Sequence, residues 1–201
     1  MTTPVVADLI VGPARVFYAP VGEALPDESS IGYGDAWGGN WTEVGTTKVP
    51  VTVKYEVERG EAMVEQATAV LKRWIKTEKL ALETVLAELS TAHMGLLLEG
   101  TETTTAAGAG QVGMKELEVG DTWQMSERAW GFEGLYKTDA GAEFPIRLFV
   151  YRATSVINGD MEFGKNDTTG MPLRVEALAD VSQAAGKRLM KIQKVTTAAT
   201  S

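Results

Sequence analysis

The strongest constraint on the fold is the stretch KVPVTVKYEVERGEAMVEQA, residues 48–67, in which apolar and polar residues alternate strictly over about the first ten positions. The apolar positions are Val49, Val51, Val53, Tyr55 and Val57. Alternation over about ten residues is typical of a strand with one covered face and one solvated face. Arg59 and Gly60 supply a turn signal, because glycine adopts the positive φ of a tight hairpin. The sequence therefore predicts a long hairpin, with a second strand from Ala62, that lies either against its own chain or against another.

Further strand patterns continue along the chain and make it mostly β. We predict strands at residues 14–19, 129–136, 144–151, 155–163, 173–179 and 189–195, with the second and third of these paired as a hairpin. The glycine-rich segment 20–40 predicts an excursion loop between the first strand and the long hairpin.

Residues 69–100 are ambiguous between helix and strand. Ala, Leu, Glu and Lys favour helix, yet Leu80, Leu82, Thr84 and Leu86 alternate as in a strand. We predict strand to Leu86, with helix over 70–86 left open, and then a short helix from an N-cap at Ser90 to Leu98, stopped by Gly100. Residues 101–121 are poor in bulky side chains and predict a long flexible loop.

The length of 201 residues and the composition fit one soluble globular domain. We expect a single domain over residues 1–201, with an N-terminal arm at 1–12 and a frayed C-terminal tail at 196–201. The N-terminus lacks the pattern of a signal peptide, and no stretch has the length of a membrane helix, so we expect synthesis in the cytoplasm and no membrane partner.

The charge and the lack of cysteine exclude several classes of function. A net charge of −8 disfavours general affinity for nucleic acid or anionic membranes. The absence of cysteine removes disulfides, thiol nucleophiles and cysteine-ligated metals.

Three motifs invite a chemical reading, and none supports a site. GAGQVG, residues 108–113, has dinucleotide-loop spacing, but TETTTAA before it is no buried strand. His93 is the single histidine, so a triad or a histidine metal site has no supporting partner, and we expect it on a helix surface. Asp160, Glu162, Asn166 and Asp167 lack the spacing of a calcium loop. We expect no catalytic residue, cofactor or metal, and no enzyme.

The order of these features resembles that of the major tail proteins, or tail tube proteins, of long-tailed siphophages. The resemblance is carried by PARVFYAPVG, by WTEVGTT leading into VPVTVKYEVE, by VEQATAVLKRWIKTEKLALETVLAEL, and by FGKNDTTGMPLRVEALAD, which together span residues 12–181. It implies a β-sandwich or barrel with one flanking α-helix, a long hairpin and long loops, similar to the type VI secretion tube protein.

The resemblance also implies a structural virion protein, assembled in the host cytoplasm, whose copies form homohexameric rings that stack into the tail tube. Tape-measure, tail terminator and tail-tip proteins would be its partners, and DNA would pass through the lumen without specific binding during ejection. The predicted interface between subunits consists of Val51, Val53, Tyr55, Val57, Arg59 and Gly60.

The resemblance further implies a lumen lined by one face of a sheet from every subunit. Glu83, Glu176 and Asp180 are the predicted lumen residues, with Lys79 and Arg174 on the same faces. A neutral or mildly acidic wall would let DNA slide, because cationic side chains are what hold phosphates.

A β-sandwich binding module that recognises a carbohydrate or a cell surface is the alternative. Its recognition surface would be an exposed aromatic cluster formed by Tyr33, Trp37 and Trp41.

Overall fold

The fold is mainly β, as a computed structural model describing residues 10–63, 69–88, 90–137, 141–161 and 169–197 shows. Within these residues the chain forms ten strands and one helix. In chain order they are β1 (Ile10–Pro20), β2 (Thr42–Thr46), β3 (Thr52–Ala62), β4 (Lys72–Leu86), α1 (Thr91–Leu98), β5 (Thr101–Thr105), β6 (Met114–Glu118), β7 (Arg128–Lys137), β8 (Glu143–Ile157), β9 (Met171–Ala177) and β10 (Met190–Lys194).

One large antiparallel sheet forms the body of the molecule. Its strand order is β2-β1-β7-β8-β9-β4-β3, with β10 paired to β8 on the edge that β9 also uses. The two ends of the sheet meet where Thr47 bridges Leu86 and the Lys48 N–H donates to the Val85 carbonyl at 2.7 Å. The sheet thus closes on itself, as expected for the predicted sandwich or barrel class, and one sheet edge is removed.

The core fills the inside of this closed sheet. Alternate residues of the central strands point inward, as period-2 patterning requires. The core includes Val16, Leu82, Leu86, Trp130, Phe132, Val150, Leu173 and Val175. The alternation of Leu80, Leu82, Thr84 and Leu86 was therefore the correct signal in the ambiguous segment, and β4 confirms the strand prediction.

The helix lies where its caps predicted it. The Ser90 side chain accepts a hydrogen bond from the His93 N–H, which satisfies one of the free donors of the first turn. Glu99 takes the left-handed conformation at φ 52°, and the Gly100 N–H donates to the Gly95 carbonyl. Leu96 and Leu97 join the core, so α1 packs against the body through the end of its apolar run.

The predicted turn at Arg59 and Gly60 is wrong. Strand β3 runs through both residues to Ala62, and its partner is β4 rather than a strand starting at Ala62. Gly60 does not have a positive φ, and it faces Trp74, whose ring lies 2.4 Å from the position that a Cβ would occupy. A side chain at position 60 would clash with this ring, so glycine allows the ring to approach the strand. The register of the β3–β4 pair shifts between Glu58 and Arg59. Residues 64–68 lie outside the described ranges.

Two other boundary predictions need correction. Residues 101–118 are not a plain loop, because β5 and β6 pair as a separate two-stranded sheet with GAGQVG at its tip. Ser155 does not start a new strand, since β8 continues through it to Ile157. The strands predicted at 129–136, 144–151, 173–179 and 189–195 are confirmed, with ends shifted by a few residues.

The excursion loop, residues 21–41, folds over the outer face of β1, β7 and β8. Phe17, Gly131 and Phe149 stand side by side on these strands. The Trp37 ring lies on them, 4.0 Å from the Phe17 ring and 2.2 Å from where a Gly131 Cβ would be. The lack of a side chain at Gly131 therefore leaves the space that the Trp37 ring occupies. Phe17, Trp37 and Phe149 form a second small hydrophobic core under the loop.

A buried row of charges holds the same loop. Arg15, Glu133 and Arg147 stand side by side on β1, β7 and β8. The Glu133 carboxylate accepts from Arg15 Nη1 at 3.0 Å, from Arg147 Nε at 2.9 Å and from Trp37 Nε1 at 3.3 Å. Arg147 also donates to the Ile31 and Gly32 carbonyls and pairs with Glu28. One carboxylate and two guanidinium groups thus connect the loop to three strands.

Replacing Glu133 with Gln should lower the free energy of unfolding by about 1.5–3 kcal/mol, because it removes the fully buried carboxylate that Arg15 and Arg147 share and leaves them only their outer carboxylate partners, Glu43 and Glu28. Urea denaturation followed by tryptophan fluorescence would measure the loss. Glu127→Gln is the matched control, since Glu127 pairs with Arg152 on the surface and its removal should cost less than about 1 kcal/mol. Equal small effects of the two variants would contradict a stabilising role for the row.

Candidate self-assembly surface

Several exposed apolar side chains of the large sheet lie on a hairpin that extends beyond the pairing with β9. We define the arm as residues 52–62 of β3 with residues 72–79 at the outer end of β4. Strand β9 pairs with β4 only over Ala81–Leu86, so the outer part of β4 has β3 as its neighbour on one side alone. Trp74 is 46% exposed and Ile75 55% exposed.

The arm is rigidly rooted because it continues a core strand. Leu80, Leu82 and Leu86 of β4 are buried in the body, whereas residues 72–79 of the same strand are exposed. An isolated two-stranded hairpin is marginally stable, but here the core holds one of the two strands in place. Strand β4 extends beyond the last residue that pairs with β9, so its outer apolar side chains have no covering strand in the same chain.

The predicted interface residues divide into two groups. Val51 packs partly against the core, so it belongs to the body of its own chain. Val53 and Tyr55 face the same side as Leu82 and Leu80, their partners in β4, but are 41% and 56% exposed. Val57 is half-buried, and Arg59 and Gly60 lie in the strand further out. Their role between subunits stays a prediction.

A groove separates the inner face of the arm from residues 185–190. Its volume is about 610 Å³, and Val53, Tyr55, Ile75 and Leu80 line it on the arm side. The Tyr55 hydroxyl donates to Glu78 at 3.0 Å, which raises the pKa of the phenol. The groove is open and mostly apolar on its arm side, and no constellation of catalytic groups lies among the residues that line it.

The outer face of β3, β4 and β9 carries paired charges. Glu83 accepts from Lys54 at 2.5 Å and from Arg174 Nη1 at 2.7 Å, and Arg174 Nε donates to Glu176 at 2.7 Å. Glu83, Arg174 and Glu176 therefore share one face, as the sequence predicted. The Lys54 ammonium beside Glu83, helped by Arg174, lowers the pKa of that carboxyl below its usual value.

Asp180 does not lie with these residues. Strand β9 ends at Ala177, and Asp180 is nearly buried in the turn that follows. Its carboxylate accepts from the Ser182 N–H at 2.9 Å and from the Ser182 hydroxyl at 2.7 Å, which lowers the pKa of Asp180. The prediction that it alternates on a strand with Glu176 is wrong, because its hydrogen bonds close a turn instead.

A second exposed surface, the acidic face, was missed in the sequence. It is the side of the β5–β6 hairpin that carries Met114, Glu116 and Glu118 opposite three threonines. Lys115 lies on the other side, where it pairs with Glu102 at 2.8 Å. The chain then continues past exposed Val119 to Trp123, which is 92% exposed. The alternation in MKELE, after the β-favouring TETTT, was the available signal.

The residues proposed for a binding module or a metal site are not arranged as those functions need. Trp37 is buried under the excursion loop, so Tyr33, Trp37 and Trp41 do not form the exposed aromatic cluster that a binding module needs. His93 is half-buried on α1 rather than on an open helix surface. Among the described residues, no group of three or more His, Cys, Asp or Glu is placed to hold a metal ion. Glu162, Asn166 and Asp167 lie outside those residues.

In the described part of the chain, no helix combines the length and the apolar character needed to cross a membrane.

Replacing Glu83 with Gln should lower the melting temperature at neutral pH and have less effect in acid. The folded-state pKa of Glu83 is lowered, so its contribution is full above the unfolded value and is lost as pH falls through the folded value. Thermal melts of wild type and variant from pH 7 to pH 3 would measure this. The Glu143→Gln control should show no such convergence, since Lys137 and Glu143 form an exposed pair. A gap that stays constant down to pH 3 would contradict the assignment.

Of two comparisons with known proteins, one found a match. A family model described as "Phage tail tube protein" matches residues 4–200, almost the whole chain. No curated protein matches the chain at a significant level.

Proposed function

The chain belongs to the phage tail tube protein family, and we propose that its copies form stacked hexameric rings that make the tail tube of a long-tailed phage. The family is structural and not an enzyme class, and its members are components of the virion tail. The finer proposal is that the tube is the conduit through which DNA leaves the virion. The siphophage-like order of sequence features supports this proposal.

The arm is the observation that carries the proposal. The outer part of the arm has a free strand edge and exposes Val53, Tyr55, Trp74 and Ile75. In a monomer, free edges and exposed apolar side chains promote unwanted association. A subunit that buries such a hairpin against neighbours turns this liability into an interface. Trp and Tyr are also among the residues that contribute most at interfaces.

The proposed ring needs a heterologous contact, in which a neighbour receives the arm through a different surface. Such heterologous contacts produce a ring when the rotation closes, and stacking along the axis then produces a tube. Six copies per ring is the number implied by the resemblance to siphophage tail proteins.

The charged outer face is the proposed lining of the channel. Glu83 and Glu176 alternate there with Arg174 and Lys54, so cations are held in ion pairs. Paired cations are less available to phosphates, and DNA would slide past such a wall without adhering. Glu83 and Glu176 remain the proposed lumen residues, and Asp180 is withdrawn.

The proposed partners follow from the same family role. Copies of the chain itself come first, and tape-measure, tail terminator and tail-tip proteins would complete the tail in the host cytoplasm. DNA would be a transient occupant of the lumen.

Val53→Asp should block assembly while leaving the melting temperature of the isolated subunit within a few degrees of wild type. A charge at an exposed arm position costs little in the monomer but is buried unpaired in an interface. Negative-stain microscopy and sedimentation, with tail-tip components as seeds, would measure assembly. Val181→Asp is the control, because Val181 is an exposed valine outside the arm. Parallel loss of assembly and melting temperature in Val53→Asp would place Val53 in the subunit's own core.

Glu176→Lys should leave tube assembly intact and slow DNA release, since an added cation in every subunit would attract the phosphates. The defect should shrink with added salt, which screens exposed charges. Ejection rates from phage carrying the variant would be measured between low and high ionic strength. Glu143→Lys, the same reversal at the end of the β7–β8 hairpin, is the control. Normal ejection at low salt by Glu176→Lys would contradict a lumen position.

A further inference from the structure

The groove beside the arm is an open site that can receive a large apolar side chain. Its arm wall is one face of the β3–β4 pair, on which Val53 and Tyr55 lie opposite Leu82 and Leu80. Ile75 joins this wall beyond the register shift. A cavity of about 150 Å³ already accommodates a benzene ring. The groove volume of about 610 Å³ is therefore sufficient for an aromatic side chain and the residues beside it.

The wall opposite the arm is positively charged. It is formed by residues 185–190, which contain Lys187 and Arg188 and no acidic residue. Both cations are exposed, and neither forms a salt bridge with another described residue. On the arm side, Glu78 accepts a hydrogen bond from the Tyr55 hydroxyl. An apolar groove with cations on one wall favours an apolar group that has carboxylates beside it.

A segment of the same chain has this composition. We define the tryptophan segment as residues 118–125, EVGDTWQM, which follow β6 and are all exposed. Trp123 is 92% exposed, and both charged residues of the segment, Glu118 and Asp121, are acidic. A tryptophan that packs buries about 150–250 Å², and tryptophan is among the residues that contribute most at interfaces. The segment therefore presents an apolar anchor with carboxylates beside it.

The tryptophan segment is held at both ends. Before it, Leu117 lies against the end of α1, with its Cδ1 atom 2.7 Å from the position that a Gly100 Cβ would occupy. After it, the Ser126 N–H and hydroxyl donate to the Glu99 carboxylate at 3.0 and 2.5 Å. Arg128 donates to the same carboxylate at 3.1 Å. Two fixed ends restrict the free segment, so less conformational entropy is lost when it binds.

We propose that the tryptophan segment of one copy docks in the groove of a second copy, with Trp123 against the arm and Asp121 beside Lys187 and Arg188. This rests on the proposed function, in which copies of the chain assemble, and adds the surface of the neighbour that receives the arm. Trp123 is not among the residues that line the groove of its own chain. Because segment and groove are different surfaces, each docked copy offers a free groove and a free segment to the next, as a ring requires.

Trp123→Ala should raise the protein concentration needed for assembly at least about tenfold, because it removes the anchor of the contact. The melting temperature of the unassembled subunit should stay unchanged, since the side chain is exposed. Sedimentation and negative-stain microscopy over a concentration series would measure assembly. Val112→Ala is the control, because Val112 is 74% exposed and lies outside the segment. Equal effects of the two variants would contradict the docking.

Cross-linking tests which surface receives the segment. The chain has no cysteine, so introduced thiols react without background. Copies with Thr122→Cys would be mixed with differently tagged copies carrying Ala185→Cys in the groove, and treated with a short bismaleimide during assembly. Thr77→Cys is the matched control, because Thr77 is exposed on the opposite face of the arm from Tyr55. Titration of the free thiols establishes that positions 77 and 185 are equally reactive before mixing.

We expect a cross-linked pair of unlike copies with the thiol at position 185 and none above background with the thiol at position 77. Tubes without the cross-link to position 185, or with equal cross-linking to both positions, would overturn the docking and leave the proposed function intact. The selective cross-link in wild-type background without rings or tubes, even with tail-tip seeds, would support the docking and overturn tube formation. Neither tubes nor the cross-link would overturn both.

Discussion

The structure depends on one strand that belongs to two environments. The inner half of β4 is a core strand with Leu80, Leu82 and Leu86 buried, and its outer half is exposed in the arm. Because β3 pairs with β4 from Thr52 to Ala62, with one register shift after Glu58, the core fixes the position and direction of the arm. The energy that holds the arm therefore comes from burial in the body, and the exposed end is left free to bind another copy.

A second constraint keeps the other side of the sheet closed. The row Arg15, Glu133 and Arg147 would be costly if it were buried without partners. The excursion loop supplies those partners through the Glu28 carboxylate and the Ile31 and Gly32 carbonyls, while Trp37 covers the neighbouring row of Phe17, Gly131 and Phe149. A glycine-rich segment thereby becomes a fixed cover for the outer face of β1, β7 and β8. The proposed assembly is built on the apolar side chains that stay exposed on the arm.

Prediction from the sequence succeeded where a signal was local. The alternation in β3 and β4, the Ser90 cap and the pairing of β7 with β8 are set by side-chain period and by turn chemistry, and the structure confirms them. The prediction of a turn at Gly60 failed because a glycine can be required either for a positive φ or for the close approach of another group. Only the position of the Trp74 ring shows that the second reason applies here. The β5–β6 hairpin was missed since both strands have only five residues and β5, TETTT, has no apolar side chain to mark a covered face.

The sequence by itself determined that this chain is mostly β, that it has one capped helix, and that its strongest pattern is a long strand with one apolar side. These properties follow from residue order, because side-chain direction repeats every two residues in a strand wherever that strand lies. Only the tertiary structure decided which part of that apolar side is covered. Val51 packs on the body and Tyr55 stays exposed, because β9 pairs with β4 only as far out as Ala81. It also decided that β9 ends before Asp180, whose carboxylate closes a turn with Ser182. Glu133 is shared by two arginines because Arg15 and Arg147, distant from it in sequence, meet it through strand register.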